Sequence, residues 1–281
     1  MEKSLKRYWP IFVLPTFAAF IIGFIVPFIM GIWLSFNEFR TVTDGVFVGL
    51  KNYRQILAEP DFIYSLGFTT LFAAASLITI NVLAFALALA LTQKLRGTNV
   101  FRTIFFMPNL IGGIVLGYIW KLIFDGILAR YELLPMSVNE VYGFWGLIIL
   151  VSWQQIGYMM IIYIAGLQAI PPELNEAADI DGASLWDRVR NVTIPMCMPA
   201  ITICTFLTVT NGFKLFDQNL ALTGGEPARR TEMLALNIYN TFYSRVGFEG
   251  IAQAKAVLFF VLVVGIGLIQ LRITRQKEVQ Q

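Results

Sequence analysis

Apolar residues run along this chain in six long blocks separated by shorter polar segments. The blocks cover about 10–36, 63–91, 104–124, 144–170, 196–216 and 252–273. Each is close to the roughly 20 residues that a helix needs to cross a bilayer. The pattern therefore predicts an all-α membrane protein with six transmembrane helices. The first block is too long for the roughly 7–15-residue apolar core of a signal peptide, and no small-x-small site ends it, so it reads as a retained helix. No tandem repeat, low-complexity tract or linker to a soluble domain interrupts the pattern, which predicts one membrane domain over residues 1–281.

Composition supports the same reading. Of the 281 residues 57% are hydrophobic and 14% charged, and the mean hydropathy is +0.68. Soluble domains carry about 25% charged residues, so a soluble enzyme and a disordered chain are both excluded. Histidine is absent, which removes histidine-based catalysis and histidine-ligated metals. Cys197 and Cys204 are too few for a disulfide framework or a cysteine-rich metal site. Their spacing predicts one side of one helix, beyond disulfide reach.

Basic residues orient the spans. Lys3, Lys6 and Arg7 precede the first block; Lys94, Arg96 and Arg102 follow the second; Arg188 and Arg190 follow the fourth; Arg272, Arg275 and Lys277 follow the sixth. With six alternating helices all four segments share a side. The opposite loops carry Arg40, Lys51, Arg54, Arg130, Arg229, Arg230 and Arg245, mixed with acids. Both termini are expected in the cytoplasm.

The segment 171–195 does not read as a spacer. Pro171 and Pro172 end the fourth helix. Good helix formers follow over 173–180, Gly182 permits a sharp turn, and a second short helix is expected over 184–189, with Pro195 opening the fifth span. An amphipathic segment lying on headgroups is one reading. Against it, Glu173, Glu176, Asp179 and Asp181 would be repelled by an anionic leaflet, which favours a protein partner. Glu176-Ala177-Ala178, three residues, Gly182, nine residues and Val192-Thr193-Ile194-Pro195 resemble the EAA motif of ABC importer permeases, with Val192 and Ile194 as conservative departures.

The resemblance implies a type I ABC importer permease fold in the cell membrane of a prokaryote. It makes Glu176, Ala177, Ala178, Asp181, Gly182 and Arg188 candidates for coupling to a separate ATPase. The chain has no G-x-x-x-x-G-K-[ST] phosphate loop, so ATP and Mg are expected on partner subunits and no cofactor on this chain. Three further elements are similar to the carbohydrate branch, which includes maltose, multiple-sugar and glycerol-phosphate importers: Gly49-Leu50-Lys51-Asn52-Tyr53; Phe216-Asp217 with Leu222-Thr223-Gly224-Gly225-Glu226-Pro227, like a TGGxP element; and Gly250-Ile251-Ala252-Gln253-Ala254. The implied partners are a second, non-identical permease, two ATPase subunits, an external solute-binding protein, a sugar, and the lipid bilayer; no nucleic acid is expected.

Polar residues inside spans face a partner helix or a cavity. Asn109 and Gly113, Gln155 and Tyr158, and Thr208, Asn211, Gly212 and Leu215 recur at helical spacing, each set on one expected helix face. Interhelical packing is the bland reading, and Gly113-x-x-x-Gly117 is a packing pattern. The resemblance aligns these eight positions with the cavity lining of the maltose-transporter subunit, and amides and hydroxyls suit sugar hydroxyls. Lys121 with Asp125, and Lys214 with Asp217, are expected as boundary ion pairs. Lys255 is expected to snorkel. A stand-alone secondary transporter or channel is the alternative; it needs a midplane carboxylate or discontinuous helices, and no midplane carboxylate is apparent. An intramembrane enzyme lacks any G-x-S-x-G or H-E-x-x-H motif.

Overall fold

The computed structural model describes residues 2–41, 43–93 and 97–276. Lys94, Arg96 and Lys277, and the side chains of Lys3, Lys6 and Arg7, lie outside the described residues. In chain order the elements are α1 (Glu2–Phe20), a π turn (Ile21–Ile25), α2 (Val26–Leu34), β1 (Asn37–Glu38), β2 (Val46–Phe47), α3 (Lys51–Ala58), α4 (Pro60–Thr92) and α5 (Thr98–Phe106). A 3₁₀ turn (Met107–Leu110), α6 (Gly113–Arg130), α7 (Glu140–Gln168), α8 (Pro172–Ile180) and α9 (Leu185–Arg188) come next. A π turn (Val189–Thr193), α10 (Ile194–Met196), α11 (Met198–Phe213), α12 (Asp217–Leu222), α13 (Leu234–Ser244) and α14 (Glu249–Arg275) complete the elements of the described residues. Among the described residues four helical stretches are long and apolar enough to cross a membrane, or up to six if each of two bent pairs counts as one span.

Those two bends correct the sequence reading. The third block turns by 100° between Leu110 and Gly113. Pro108 sits in the 3₁₀ turn, and Ile111 and Gly112 are extended, so the helical ladder stops there. Asn109 and Gly113 consequently do not share a helix face. The fifth block turns by 73° at Cys197. Pro195 lies inside the helical run that starts at Leu185, and Pro199 instead stands in the first turn of α11, where its missing N–H costs nothing. Cys197 therefore sits at the bend and Cys204 within α11, both free and buried. Helix α11 stops at Phe213, so Leu215 also leaves the face shared by Thr208 and Gly212.

Two compact units divide the chain. The first comprises residues 1–60 and 238–261. Its GLKNY element has a local structural task. Gly49 adopts φ +59°, and Asn52 Nδ2 donates to the carbonyls of Ser35 and Asn37 at 2.9 and 3.0 Å. The Ser35 and Tyr53 hydroxyls meet at 2.6 Å. A Cβ on Gly250 would stand 2.1 Å from the Asn37 carbonyl oxygen, which explains a glycine at the head of the GIAQA element. Asp44 closes the β1–β2 loop by accepting the N–H groups of Thr41 and Arg40 at 2.8 and 3.0 Å. Those bonds hold its carboxyl below the usual carboxylate range.

Lys255 contradicts the snorkelling expectation. Its side chain is 0% exposed, ion-paired to Glu59 at 2.8 Å and donating to the Thr241 hydroxyl at 2.9 Å. Glu59 also pairs with Arg245 at 3.0 Å. All of these residues belong to the first unit.

The second unit comprises 61–237 and 262–281. Its core is built from α4, α6, α7 and α11, around Phe72, Ile80, Leu116, Leu147, Leu150 and Tyr163. Polar side chains fasten these helices across apolar surroundings, as hydrogen bonds do where water is scarce. Tyr163 donates its hydroxyl to Asn81 Oδ1 at 2.6 Å, and Asn81 Nδ2 donates to Thr208 Oγ1 at 3.2 Å. Thr79 and Ser152 join at 3.2 Å. Outward side chains such as Leu71, Ile78 and Val82 are exposed apolar groups of the kind that lipid solvates.

Candidate functional site

A cleft of about 290 Å³ opens where α7, the end of α11 and the start of α12 come together. Gln155, Asn211, Lys214, Leu215, Phe216, Asp217 and Gln218 line it. Three of the positions chosen from sequence, Gln155, Asn211 and Leu215, converge there. Gln155 is 9% exposed, and its Oε1 is a buried acceptor without a hydrogen-bond partner. Unmet acceptors at buried positions are uncommon and costly, and this one belongs to a residue of the cleft lining.

The remaining candidates go elsewhere. Gly113 and Gly117 lie against α12: a Cβ on Gly113 would stand 2.7 Å from Asp217 Cβ, and one on Gly117 2.6 Å from Ala221 Cβ. The G-x-x-x-G spacing thus gives α12 a close seat on α6. Thr208 is buried, donates to the Cys204 carbonyl at 2.8 Å and receives Asn81. A Cβ on Gly212 would stand 3.2 Å from Ala73 of α4. Both face the helix core. Tyr158, 36% exposed, lies beside Phe106 with ring centroids 6.5 Å apart. Asn109 is half-buried in the 3₁₀ turn.

Gln154 escaped the sequence reading. It donates from Nε2 to the Ile111 carbonyl at 3.1 Å, meeting a backbone acceptor that the broken helix leaves free. Its Oε1 accepts Gln218 Nε2 at 2.7 Å. One side chain therefore ties α7 to the break and to α12. Two adjacent glutamines in an apolar block were the available signal, since neighbours on a helix point about 100° apart and need different partners.

Neither expected boundary ion pair forms. Asp125 accepts the Met136 N–H at 3.0 Å and no ion pair joins it to Lys121. Lys214 caps the end of α11 and Asp217 begins α12, with Phe216 at φ −126°, ψ −60° between them; the helical i, i+3 relation is lost. Beyond the cleft, the TGGxP element forms a tight knot. Asn219 Nδ2 donates to Thr223 Oγ1 and to the Thr231 carbonyl at 2.9 and 2.7 Å, and its Oδ1 accepts the Met233 N–H at 2.9 Å. Gly224 and Gly225 take φ +60° and +88°, and the Glu226–Pro227 peptide is cis.

The second candidate surface is the segment joining α7 to the fifth span. Helix α8 ends in a left-handed turn at Gly182, φ +73°, closed by the Ala183 N–H on the Ala178 carbonyl at 3.0 Å and the Gly182 N–H on the Asp179 carbonyl at 3.2 Å. Ser184 and Asp187 form a capping box that starts α9. Arg188 pairs with Asp179 at 2.9 Å, clipping α9 to α8. Among the predicted coupling residues, Glu176, Ala177, Asp181 and Gly182 are exposed, Ala178 is half-buried and Arg188 serves the clip. Ile180, Leu185 and Trp186 are 86%, 74% and 69% exposed beside the acids. Large apolar groups displayed together mark interaction surfaces.

Residues 83–278 match the family model described as "Binding-protein-dependent transport system inner membrane component". The chain is 43% identical to the probable starch degradation products transport system permease protein AmyD of Thermoanaerobacterium thermosulfurigenes, over 97% of this chain and 95% of that one. It is 31% identical to the trehalose/maltose transport system permease protein MalF of Thermococcus litoralis, over 94% and 92% of the two chains. Among solved structures, a chain of the bacterial alginate ABC transporter in complex with alginate pentasaccharide-bound periplasmic protein superposes with a TM-score of 0.82. It is 20% identical, with 98% of this chain and 97% of that chain covered.

Proposed function

Because this chain belongs to the binding-protein-dependent transport system inner membrane component family, we propose that it forms half of the translocation pathway of a sugar importer, for an oligosaccharide handed over by an external binding protein. As an ABC importer permease it is a membrane subunit that does not itself hydrolyse ATP; that activity lies on partner subunits. In this reading the whole chain acts as one transmembrane domain with both termini in the cytoplasm of a prokaryote. A second, homologous permease supplies the other half of the pathway, and two ATPases carry ATP and Mg.

The observation that carries the reading is the clipped α8–Gly182–α9 segment. It offers carboxylates, small residues and exposed apolar side chains on one rigid corner, the composition of a surface made for a protein partner rather than an anionic leaflet. Names of relatives supply the sugar: starch products and trehalose/maltose for two permeases. The cleft chemistry agrees, since Gln155 and Asn211 can both give and accept hydrogen bonds and Phe216 offers an aromatic surface. Discontinuous helices also fit a secondary transporter; the match to a binding-protein-dependent transport component favours the importer, and the carboxylate of the cleft, Asp217, lies past the end of α11 in the same lining as Lys214.

Purification of the tagged chain from native membranes in mild detergent tests the assembly. Recovery with a phosphate-loop ATPase and a second six-helix permease is expected. Recovery alone, where control complexes stay intact, would leave a self-contained transporter. For the cleft, Gln155→Leu and Asn211→Ala are expected to assemble normally and to lower oligosaccharide uptake by about tenfold, the effect of losing one or two well-placed hydrogen bonds. Uptake kinetics at wild-type values for both variants would make these side chains packing residues.

A further inference from the structure

The cleft holds one cation and one anion, Lys214 and Asp217, three residues apart in sequence and both in its lining. The pair is not neutralised internally. No ion pair forms between the two, and both side chains are exposed. The cause is local. Helix α11 ends at Phe213, Leu215 and Phe216 are non-helical, and α12 restarts at Asp217. Asp217 is held in place by the close seat of α12 on Gly113 and by Gln218, which is fastened to Gln154 at 2.7 Å. Gln155, whose Oε1 is a buried acceptor without a partner, belongs to the same lining, so the cleft brings together a cation, a carboxylate and an amide side chain.

From this we infer that Lys214 and Asp217 act as a balanced charge filter that makes the cleft selective for uncharged polyhydroxy ligands. The inference rests on the sugar-import reading above. Two opposite charges in one small cleft cancel for a ligand without charge, and each accepts or donates to hydroxyl groups. A charged ligand is attracted by one member and repelled by the other, and must still lose its own hydration. Removing Asp217 leaves a positive cleft that admits anions. Removing Lys214 leaves a negative one that admits cations.

The test uses the assembled complex with a reporter thiol, Asn211→Cys, and three backgrounds: the parent, Asp217→Asn and Lys214→Gln. Modification rates are measured with an anionic sulfonatoethyl and a cationic trimethylammonioethyl methanethiosulfonate. Relative to the parent, the anion-to-cation rate ratio is expected to rise about tenfold in Asp217→Asn and to fall by a similar factor in Lys214→Gln, the scale of removing one unit charge several ångströms away. Without the reporter, Asp217→Asn is expected to raise uptake of a carboxylated malto-oligosaccharide relative to its neutral parent, each presented at saturation of the external binding protein. Unchanged rate ratios in both variants would overturn the filter, as would shifted rate ratios with an unaltered uptake preference. If the parent complex takes up no neutral malto-oligosaccharide, the sugar reading fails, while the thiol rates still decide whether the pair sets the cleft's charge. Both side chains are exposed, so loss of folding does not stand between these variants and a result.

Discussion

Gly182→Val is expected to insert, join its partners and permit ATP hydrolysis while uptake falls about tenfold or more. The reason is backbone conformation. Gly182 holds φ +73° and a Cβ there would meet nothing within 4 Å, so crowding plays no part. An L-residue in the left-handed region costs roughly 1–2 kcal/mol, and a β-branched one sits at the unfavourable end. That energy opposes the turn that lets Arg188 reach Asp179, and each 1.4 kcal/mol lowers the turn's population about tenfold. With the corner open, α8 and α9 no longer present one surface. Asparagine tolerates this conformation, so Gly182→Asn is expected to keep most of the uptake. Paired measurements of uptake and ATPase rate in proteoliposomes check both variants; wild-type uptake by the valine variant would remove the coupling role of the corner.

Glu59→Ala is expected to lower stability by about 3 kcal/mol, in the range found when one member of a buried ion pair is removed. Lys255 is fully buried and Glu59 is its ionic partner at 2.8 Å, with Arg245 on the same carboxylate at 3.0 Å. Deleting the carboxylate removes the anion 2.8 Å from a fully buried ammonium, which costs more than the pair itself contributes. The double variant Glu59→Ala/Lys255→Met is expected to regain much of the loss, since an apolar side chain of similar length removes the buried charge. Thermal denaturation of the purified complex in one detergent measures all three proteins. If Glu59→Ala melts with the wild type, the network carries no stability.

The six apolar blocks were legible because a spanning helix writes its length directly into composition. The breaks were not. Pro108 and Gly112-Gly113 lie within residues that remain apolar, so hydropathy passes over them without a dip, and Pro195 and Pro199 offer two equal places for the fifth span to begin. Once a helix is broken its periodicity no longer reports a shared face, which is why Asn109 parted from Gly113, and Leu215 from Thr208 and Gly212. Gln155, Asn211 and Leu215 still met, because Gln155 and Asn211 sit on intact stretches and Leu215 lies just past the end of one. Lys255 was misread for a different reason. Its partner Glu59 lies far away in sequence, and nothing local to α14 announces a carboxylate partner. The α8–α9 corner was the most legible feature, since prolines, glycine and capping residues act over three or four positions and need no tertiary contact.

The broken third span has a consequence for how the chain is made. Around the break the Pro108 and Gly112 carbonyls accept the Ile111 and Leu116 N–H groups at 3.2 and 3.0 Å, whereas the Ile111 carbonyl stands outside the helical ladder, where hydrocarbon offers no donor. The donor for the Ile111 carbonyl is Gln154, which the ribosome adds only after α6 and much of α7 have emerged. The third span on its own is therefore a poor passenger for lipid. It is expected to enter the bilayer together with α7, once Gln154 can reach the Ile111 carbonyl.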